Sequence, residues 1–163
     1  MAEVRHAMAT WTGDLQTGSG TIDYVSSGAF SRMPITWASR TSAHNGKTSP
    51  EELLAAAHAA CFSMAFSARL GKNGTPASKL AVRVEVTFDN SGGGWKVAKS
   101  LIHVRGDVPG IDEAKFLELA EDAKENCPIS GAIKGNVQLE VDAQLVAPGT
   151  ASAMPTGHLV GTS

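Results

Sequence analysis

Residues 49–72 read SPEELLAAAHAACFSMAFSARLGK and predict the central helix of this protein. Ser49 is a capping residue, a proline follows at the first helical position, and Glu52 stands where a reciprocal capping box places its carboxylate. We expect the helix to run to about Leu70 and to end at Gly71 in the left-handed conformation. Apolar residues lie on nearly every side of it, so we expect the helix to be buried.

Alternating segments on both sides of this helix predict strands. Before it, residues 5–11 and 21–25 flank the turn-rich GDLQTGSG as a hairpin, and residues 33–38 are extended. After it, the strands cover residues 79–89, 95–105 and 135–146. The expected fold class is α+β, with antiparallel pairing wherever a short turn joins two strands.

A second helix is predicted from about Asp112 to Asn126. Phe116, Leu119, Ala120, Ala123 and Cys127 fall on one stripe of it. Cys127 therefore ends the helix on its inward side, and Pro128 stops it. We expect residues 1–146 to form a single domain and residues 147–163, which are rich in small, Pro and Gly residues, to be a disordered tail.

Composition limits the function classes. The 163 residues carry 14 Lys+Arg and 16 Asp+Glu, a formal charge of -2, so neither nucleic acid nor an anionic membrane is expected as a partner. The N-terminus has no apolar run of the signal-peptide type, and LLAAAHAACFSMAF is interrupted by polar residues and short for a bilayer. We therefore expect a cytoplasmic protein.

The two cysteines, Cys61 and Cys127, are 66 positions apart. In a reducing compartment this argues against a static disulfide, and it leaves either buried free thiols or redox chemistry. A cysteine in a buried helix is often only a small hydrophobic residue. The residues alone leave both alternatives open.

Two segments resemble the signatures of a known family. SPEELLAAAHAACFSMA at residues 49–65 and AKENCPIS at residues 123–130 are similar to those of the OsmC/Ohr family, the osmotically inducible protein C and organic hydroperoxide resistance proteins. WTGDLQTGSGT at residues 11–21, Arg40 before a polar loop, and the order of elements are also similar. The resemblance covers most of the chain, and HAACFS is closer to the OsmC branch.

The resemblance implies an intertwined homodimer in which antiparallel sheets from both chains surround two long helices, with active sites at the interface. It implies a thiol-dependent peroxidase that reduces organic hydroperoxides to alcohols. Cys61 would be the peroxidatic cysteine, forming a sulfenic acid, and Cys127 the resolving cysteine that closes a Cys61–Cys127 disulfide. Arg40 would activate the thiolate, and Glu51 would hold the arginine. A dithiol reductant, of the lipoyl type, would reopen the disulfide, and no cofactor or metal is expected.

Each role has a chemical reason. A free cysteine with a pKa near ~8.5 is only a few per cent ionised at neutral pH, and burial raises that pKa further. Cys61 therefore needs a cation, and arginine stays charged when buried and offers several donors. Because Glu51 and Cys61 are roughly 15 Å apart along one helix, we infer that Glu51, together with Arg40, serves Cys61 of the other subunit.

Rival interpretations use the same residues. A cysteine hydrolase would pair Cys61 with His58 three residues earlier, but no orienting third group is apparent. A metal site lacks the close ligand pairs of structural zinc centres. The main alternative is a non-catalytic, stress-related dimer of the same fold that holds a small apolar ligand. The apolar residues near Cys61, including Phe62 and Phe66, weakly favour an organic peroxide over hydrogen peroxide.

Overall fold

The computed structural model describes residues 1–152 and Met154. It divides into two compact units, Met1–Leu54 and Ala55–Ser163. The first unit holds β1 (Ala7–Thr12), β2 (Ser19–Val25), β3 (Ser31–Ile35) and α1 (Ala38–Thr41). Helix α2 (Pro50–Lys72) begins in it, and the second unit continues with β4 (Lys79–Asp89), β5 (Lys96–Asp107), α3 (Glu113–Asn126), α4 (Pro128–Ile133) and β6 (Gln138–Leu145). The α+β class is confirmed.

The first unit is built on a three-stranded antiparallel sheet in the order β1-β2-β3. The predicted hairpin is confirmed, and the Asp14 carboxylate closes its turn by accepting hydrogen bonds from the backbone of Gln16 and Thr17. The extended segment predicted up to residue 38 ends earlier, at Ile35. Reciprocal hydrogen bonds between Thr36 and Ser39 turn the chain into α1 instead, because short hydroxyl side chains favour such turns.

Helix α2 begins as predicted, although its cap differs from the predicted one. The Ser49 hydroxyl accepts the backbone N–H of Glu52 at 3.2 Å. The Glu52 carboxylate, however, accepts the Thr48 hydroxyl at 2.7 Å. The reciprocal capping box is therefore half formed, since a nearby hydroxyl competes for the carboxylate.

The end of α2 corrects a second prediction. Gly71 lies inside the helix, which continues to Lys72. Gly74 is the left-handed residue, with φ of +82°. The N–H of Thr75 bonds to the carbonyl of Leu70, and that of Gly74 to the carbonyl of Gly71, which is the pattern of a Schellman motif.

The second unit contains the sheet β4-β5-β6. Strands β4 and β5 form an antiparallel hairpin, whereas β5 and β6 are parallel because α3 and α4 connect them. The expectation of purely antiparallel sheets is therefore wrong for this sheet, which is mixed. The Asp112 carboxylate caps α3 by accepting the N–H of Lys115 at 2.9 Å. Pro128 ends α3 as predicted but also starts α4, and Cys127 between them is extended, as residues before proline tend to be.

The core of the second unit joins α2, β5 and α3. Its fully buried large side chains are Phe62, Phe66, Leu70, Ile102, Val104 and Phe116. The rings of Phe66 and Phe116 meet edge to face with centroids 5.1 Å apart. A Cβ at Gly106 would lie 2.5 Å from the Phe116 ring, so glycine is needed there for this packing.

The prediction that α2 is buried on all sides is wrong for the single chain. Met64 on this helix is 68% exposed. By length and composition alone, the helix is also long and apolar enough to cross a membrane. Of the 18-residue segment that meets this test, 22% is buried. The expectation that this stretch is too short for a bilayer therefore does not hold for the 23-residue helix.

The assignment of residues 1–146 to one domain remains a prediction. The disordered tail predicted for residues 147–163 lies mostly outside the described residues.

Candidate active site

The second unit brings the two cysteines together. Cys61 lies on α2 and is partly exposed, whereas Cys127 lies between α3 and α4 and is buried. Their Sγ atoms are 2.9 Å apart, and both are free thiols. Two residues separated by 66 positions thus stand close enough to form a disulfide with small movements.

The two thiols share a hydrogen bond, and their surroundings make them unequal. Burial raises the pKa of Cys61, and the hydrogen bond with Cys127 adds to this. Burial also acts to raise the pKa of Cys127, but hydrogen bonding with Cys61 and with the backbone of Ser130 and Ile129 lowers it below its ordinary value. The predicted rise in the pKa of Cys61 is confirmed. Because burial raises the pKa of Cys61, this thiol needs a cation to ionise near neutral pH.

His58 lies on α2, three residues before Cys61, and its side chain is fully buried. Its Nδ1 is 2.8 Å from the Ser100 hydroxyl on β5, and its Nε2 is 2.8 Å from the Ser130 hydroxyl on α4. Burial lowers the pKa of His58, which favours the neutral imidazole. Because both ring nitrogens are bonded to serines, the geometry does not support the hydrolase pairing of His58 with Cys61.

The first unit contains the other two predicted site residues. Arg40 on α1 donates two hydrogen bonds to the Glu51 carboxylate, Nη2 to Oε1 at 2.6 Å and Nε to Oε2 at 3.2 Å. The Glu51 side chain is 9% exposed, and that of Arg40 is 28% exposed. The guanidinium carbon also lies 5.5 Å from the centroid of the Trp37 ring. Glu51 and the indole together hold the guanidinium in one orientation.

An apolar cavity of about 270 Å³ opens beside this guanidinium. Its lining consists of Trp11, Leu15, Ile35, Thr36, Trp37, Arg40 and Pro50. A mostly hydrocarbon wall with one cation at its edge suits a ligand with an apolar part and a polar end. We did not predict the two tryptophans as site residues, although Trp11 opens the WTGDL segment that carried part of the resemblance.

The four predicted residues therefore form two pairs, Cys61 with Cys127 in one unit and Arg40 with Glu51 in the other. The sequence did not reveal Ser100 and Ser130. Two features of the sequence could have indicated them. Ser130 lies in the CPIS segment that begins at Cys127, and Ser100 is a polar residue on the mainly apolar inward face of its strand. Within residues 1–152 and Met154, no group of three His, Cys, Asp or Glu side chains is arranged to hold a metal ion.

Fold and site together define an α+β protein with a dithiol centre. Comparison with known proteins narrows this class. Residues 43–142 match the family model described as OsmC-like protein. The chain belongs to the OsmC family.

Individual relatives agree with this membership. The chain is 35% identical over 136 residues to Peroxiredoxin OsmC of Escherichia coli (strain K12), an alignment that covers 83% of this chain and 94% of the relative. It is 35% identical over 96 residues to Organic hydroperoxide resistance protein OhrB of Bacillus subtilis (strain 168), covering 58% and 68%. The crystal structure of the B. subtilis OhrB protein superposes with a TM-score of 0.61 at 28% identity, covering 85% of this chain and 98% of that one.

Proposed function

We propose that this protein is a cysteine-based peroxidase that reduces organic hydroperoxides to alcohols. The observation that carries the proposal is the 2.9 Å separation of Cys61 and Cys127. The names of its relatives, a peroxiredoxin and organic hydroperoxide resistance proteins, support the same activity.

In the first step, the Cys61 thiolate attacks the distal oxygen of ROOH. An S–O bond forms and the O–O bond breaks, so Cys61 becomes a sulfenic acid and the alkoxide takes up a proton to leave as an alcohol. The partly exposed Cys61 suits the attacking role, because the peroxide must reach its sulfur. The buried Cys127 suits the role of the resolving cysteine, which reacts with Cys61 and not with the peroxide.

In the second step, Cys127 displaces the sulfenic hydroxyl, which leaves as water, and a Cys61–Cys127 disulfide forms. A small dithiol of the lipoyl type then opens the disulfide by exchange and is itself oxidised. Cys61 is the sulfur that such a reductant would reach first, since Cys127 is 1% exposed.

Arg40 supplies the cation that the raised pKa of Cys61 demands. A guanidinium remains charged at any working pH, and it can donate both to a thiolate and to peroxide oxygens. Glu51 fixes its direction through the two hydrogen bonds. The apolar cavity beside Arg40 would take the hydrocarbon part of the peroxide, which favours organic hydroperoxides over hydrogen peroxide.

We further propose that the working protein is an intertwined homodimer in which sheets surround the long helices and in which Arg40 and Glu51 serve Cys61 of the other subunit. Exposed apolar residues on α2, Met64 above all, support this arrangement, because a second chain would cover them. His58, Phe62 and Phe66 of the same helix are fully buried in protein, which favours a core helix over a membrane span. We therefore propose a soluble, cytoplasmic dimer.

Two cysteine variants test the cycle. Cys61→Ser should abolish turnover of tert-butyl hydroperoxide in the presence of a dithiol. Cys127→Ser should reduce about one peroxide per chain and leave Cys61 as a sulfenic or over-oxidised acid, detectable by mass spectrometry. If Cys61→Ser retained turnover, or if Cys127→Ser consumed no peroxide, the assigned roles would be wrong.

The alternative is a non-catalytic dimer that holds a small apolar ligand. The apolar cavity in the first unit is the observation in its favour. It predicts that the thiols do not react with peroxide, so the same variants separate the two functions.

A further inference from the structure

The proposed cycle does not use the imidazole of His58, which is a buried titratable group at the centre of α2. It is 0% exposed and contacts two serine hydroxyls from two other elements. A buried histidine with a purely structural role needs hydrogen-bond partners for its two ring nitrogens, and any two polar groups could provide them. One of its partners here belongs to the helix that follows Cys127.

The contacts continue from His58 to the sulfur. Ser130 comes three residues after Cys127, across the first turn of α4. Hydrogen bonding from the Ser130 side chain and backbone acts to lower the pKa of the Cys127 thiol. The Ser130 hydroxyl, 2.8 Å from His58 Nε2, therefore links the imidazole to the helix that follows Cys127.

We propose that His58 and Ser130 are positioning residues for Cys127. His58 orients the Ser130 hydroxyl toward the Cys127 sulfur, and this hydroxyl stabilises the Cys127 thiolate that closes the disulfide. The inference rests on the proposed function, because it assumes that Cys127 resolves a sulfenic acid at Cys61.

Counting donors shows which arrangement of hydrogens the proposed role requires. A neutral imidazole has one N–H and one acceptor nitrogen. When the Ser100 hydroxyl donates to Nδ1, the proton lies on Nε2, which donates to the Ser130 oxygen. The Ser130 hydroxyl then keeps its own hydrogen for the Cys127 sulfur.

The opposite tautomer removes this donor. With the proton on Nδ1, the Ser130 hydroxyl would donate to Nε2 and have no hydrogen left for the sulfur. The proposal therefore requires the Ser100 hydroxyl to donate to Nδ1, and full burial favours the uncharged ring that has such a choice.

The step affected is the condensation of the two cysteines. The S–H bond of Cys127 loses its proton, the thiolate attacks the Cys61 sulfur, an S–S bond forms and the S–O bond breaks. The proton and the departing hydroxide make water. Cys127 is oxidised and the Cys61 sulfenic sulfur is reduced, so no further reactant is needed. A donor to the Cys127 thiolate raises the fraction of this nucleophile.

The test separates the two steps of the cycle in time. Reduced protein is mixed with one equivalent of tert-butyl hydroperoxide and quenched at intervals with a sulfenic-acid trap and a thiol-alkylating reagent. Mass spectrometry then counts free thiol, trapped sulfenic acid and disulfide. In Ser130→Ala we expect Cys61 to be oxidised at the rate of the unchanged protein while disulfide closure is about tenfold slower.

Further variants isolate the hydroxyl. Ser130→Thr keeps the hydroxyl and should close the disulfide within about threefold of the rate of the unchanged protein. Ser100→Ala removes the hydrogen bond to His58 Nδ1, so the proton is no longer held on Nε2, and closure should be about threefold slower. Ser63→Ala is the matched control: it removes another hydroxyl bond on α2, from Ser63 to the Ala59 carbonyl, and should leave both steps unchanged.

The outcomes distinguish the two proposals. Disulfide closure at the normal rate in Ser130→Ala would overturn the positioning role. Equally slow closure in Ser130→Ala and Ser130→Thr would also overturn it, because the shape of the side chain and not its hydroxyl would then set the rate. Unchanged closure in Ser100→Ala overturns the part assigned to His58. If the unchanged protein forms no sulfenic acid and no disulfide, the proposed function itself fails.

Discussion

The Sγ atom of Cys127 lies 2.9 Å from the Sγ atom of Cys61. Burial raises the pKa of Cys61, whereas hydrogen bonds outweigh burial at Cys127 and lower its pKa. The sulfur proposed to attack the peroxide is therefore harder to ionise than that of an ordinary cysteine. The proposed mechanism therefore requires a cation at Cys61, and the predictions below follow from this requirement and from the packing around the thiols.

Arg40→Ala should lower the rate of peroxide reduction at neutral pH by about 10- to 100-fold, the value of one or two charge-assisted hydrogen bonds. The loss should shrink as pH rises, because a higher pH ionises Cys61 without the guanidinium. Stopped-flow measurement of the first oxidation between pH 6 and 10 checks this.

Arg69→Ala is the control for Arg40. Arg69 forms an ion pair with Asp122, whose side chain is 51% exposed, so its loss should change the rate by less than about threefold. Full activity of Arg40→Ala at neutral pH would refute the assigned role of the guanidinium.

Met64→Lys should weaken the proposed homodimer. Met64 is 68% exposed on the apolar helix α2, and a lysine buried at an interface loses its hydration. Sedimentation equilibrium should show a shift from dimer to monomer, together with loss of activity. Leu117→Lys on α3, at a side chain that is 40% exposed, should remain dimeric. A monomeric unchanged protein with full activity would contradict the dimer proposal.

His58 should make folding stability depend on pH in the mildly acidic range. Its pKa is lowered in the folded chain from about 6.5 in the unfolded chain. As pH falls below 6.5, the unfolded chain binds a proton that the folded chain does not, so stability is full above this pH and declines below it.

The decline should approach about 1.4 kcal/mol per pH unit from this one group. Carboxylates with lowered pKa, such as Asp14 and Asp89, add their own losses only at more acidic pH. Urea unfolding at pH 5.5 and 6.5 measures the difference, which should be smaller in His58→Gln. Equal differences in both proteins would show that His58 does not cause the effect.

Gly106→Ala should destabilise the second unit by about 1–3 kcal/mol through overpacking. The new Cβ would lie 2.5 Å from the Phe116 ring, whose partner is Phe66. Gly71→Ala is the matched control, because its Cβ would meet nothing within 4 Å on a helix, and it should be neutral or stabilising by up to about 1 kcal/mol. Thermal unfolding of both variants compares them. Equal melting temperatures would mean that the ring can move aside.

Much of the fold follows from local patterns. Strand β4 has the predicted limits, and α3 begins one residue after the predicted Asp112 because that residue is its cap. Local signals were less informative where several residues compete. Gly71 looked like a helix end, but Gly74 provides the left-handed turn. Arg40 was expected before a loop, whereas the Thr36 and Ser39 hydroxyls place it on a helical turn.

The residue types of the candidate site came from the sequence, whereas their surroundings did not. The resemblance supplied Cys61, Cys127, Arg40 and Glu51, and residue logic alone left inert thiols equally open. The bonds of Ser100 and Ser130 to His58 join positions 42 and 72 residues away. Such contacts depend on how β5 and α4 pack on α2, and no local pattern encodes that packing.

Thiol titration tests the central claim most directly. Reduced protein is mixed with cumene hydroperoxide or tert-butyl hydroperoxide, and with hydrogen peroxide for comparison, and the remaining thiols are counted over time. We predict rapid loss of both thiols, formation of one intramolecular Cys61–Cys127 disulfide, and faster reaction with the organic peroxides. Two thiols that persist in the presence of excess organic hydroperoxide would contradict the proposed function and leave the pair as core residues.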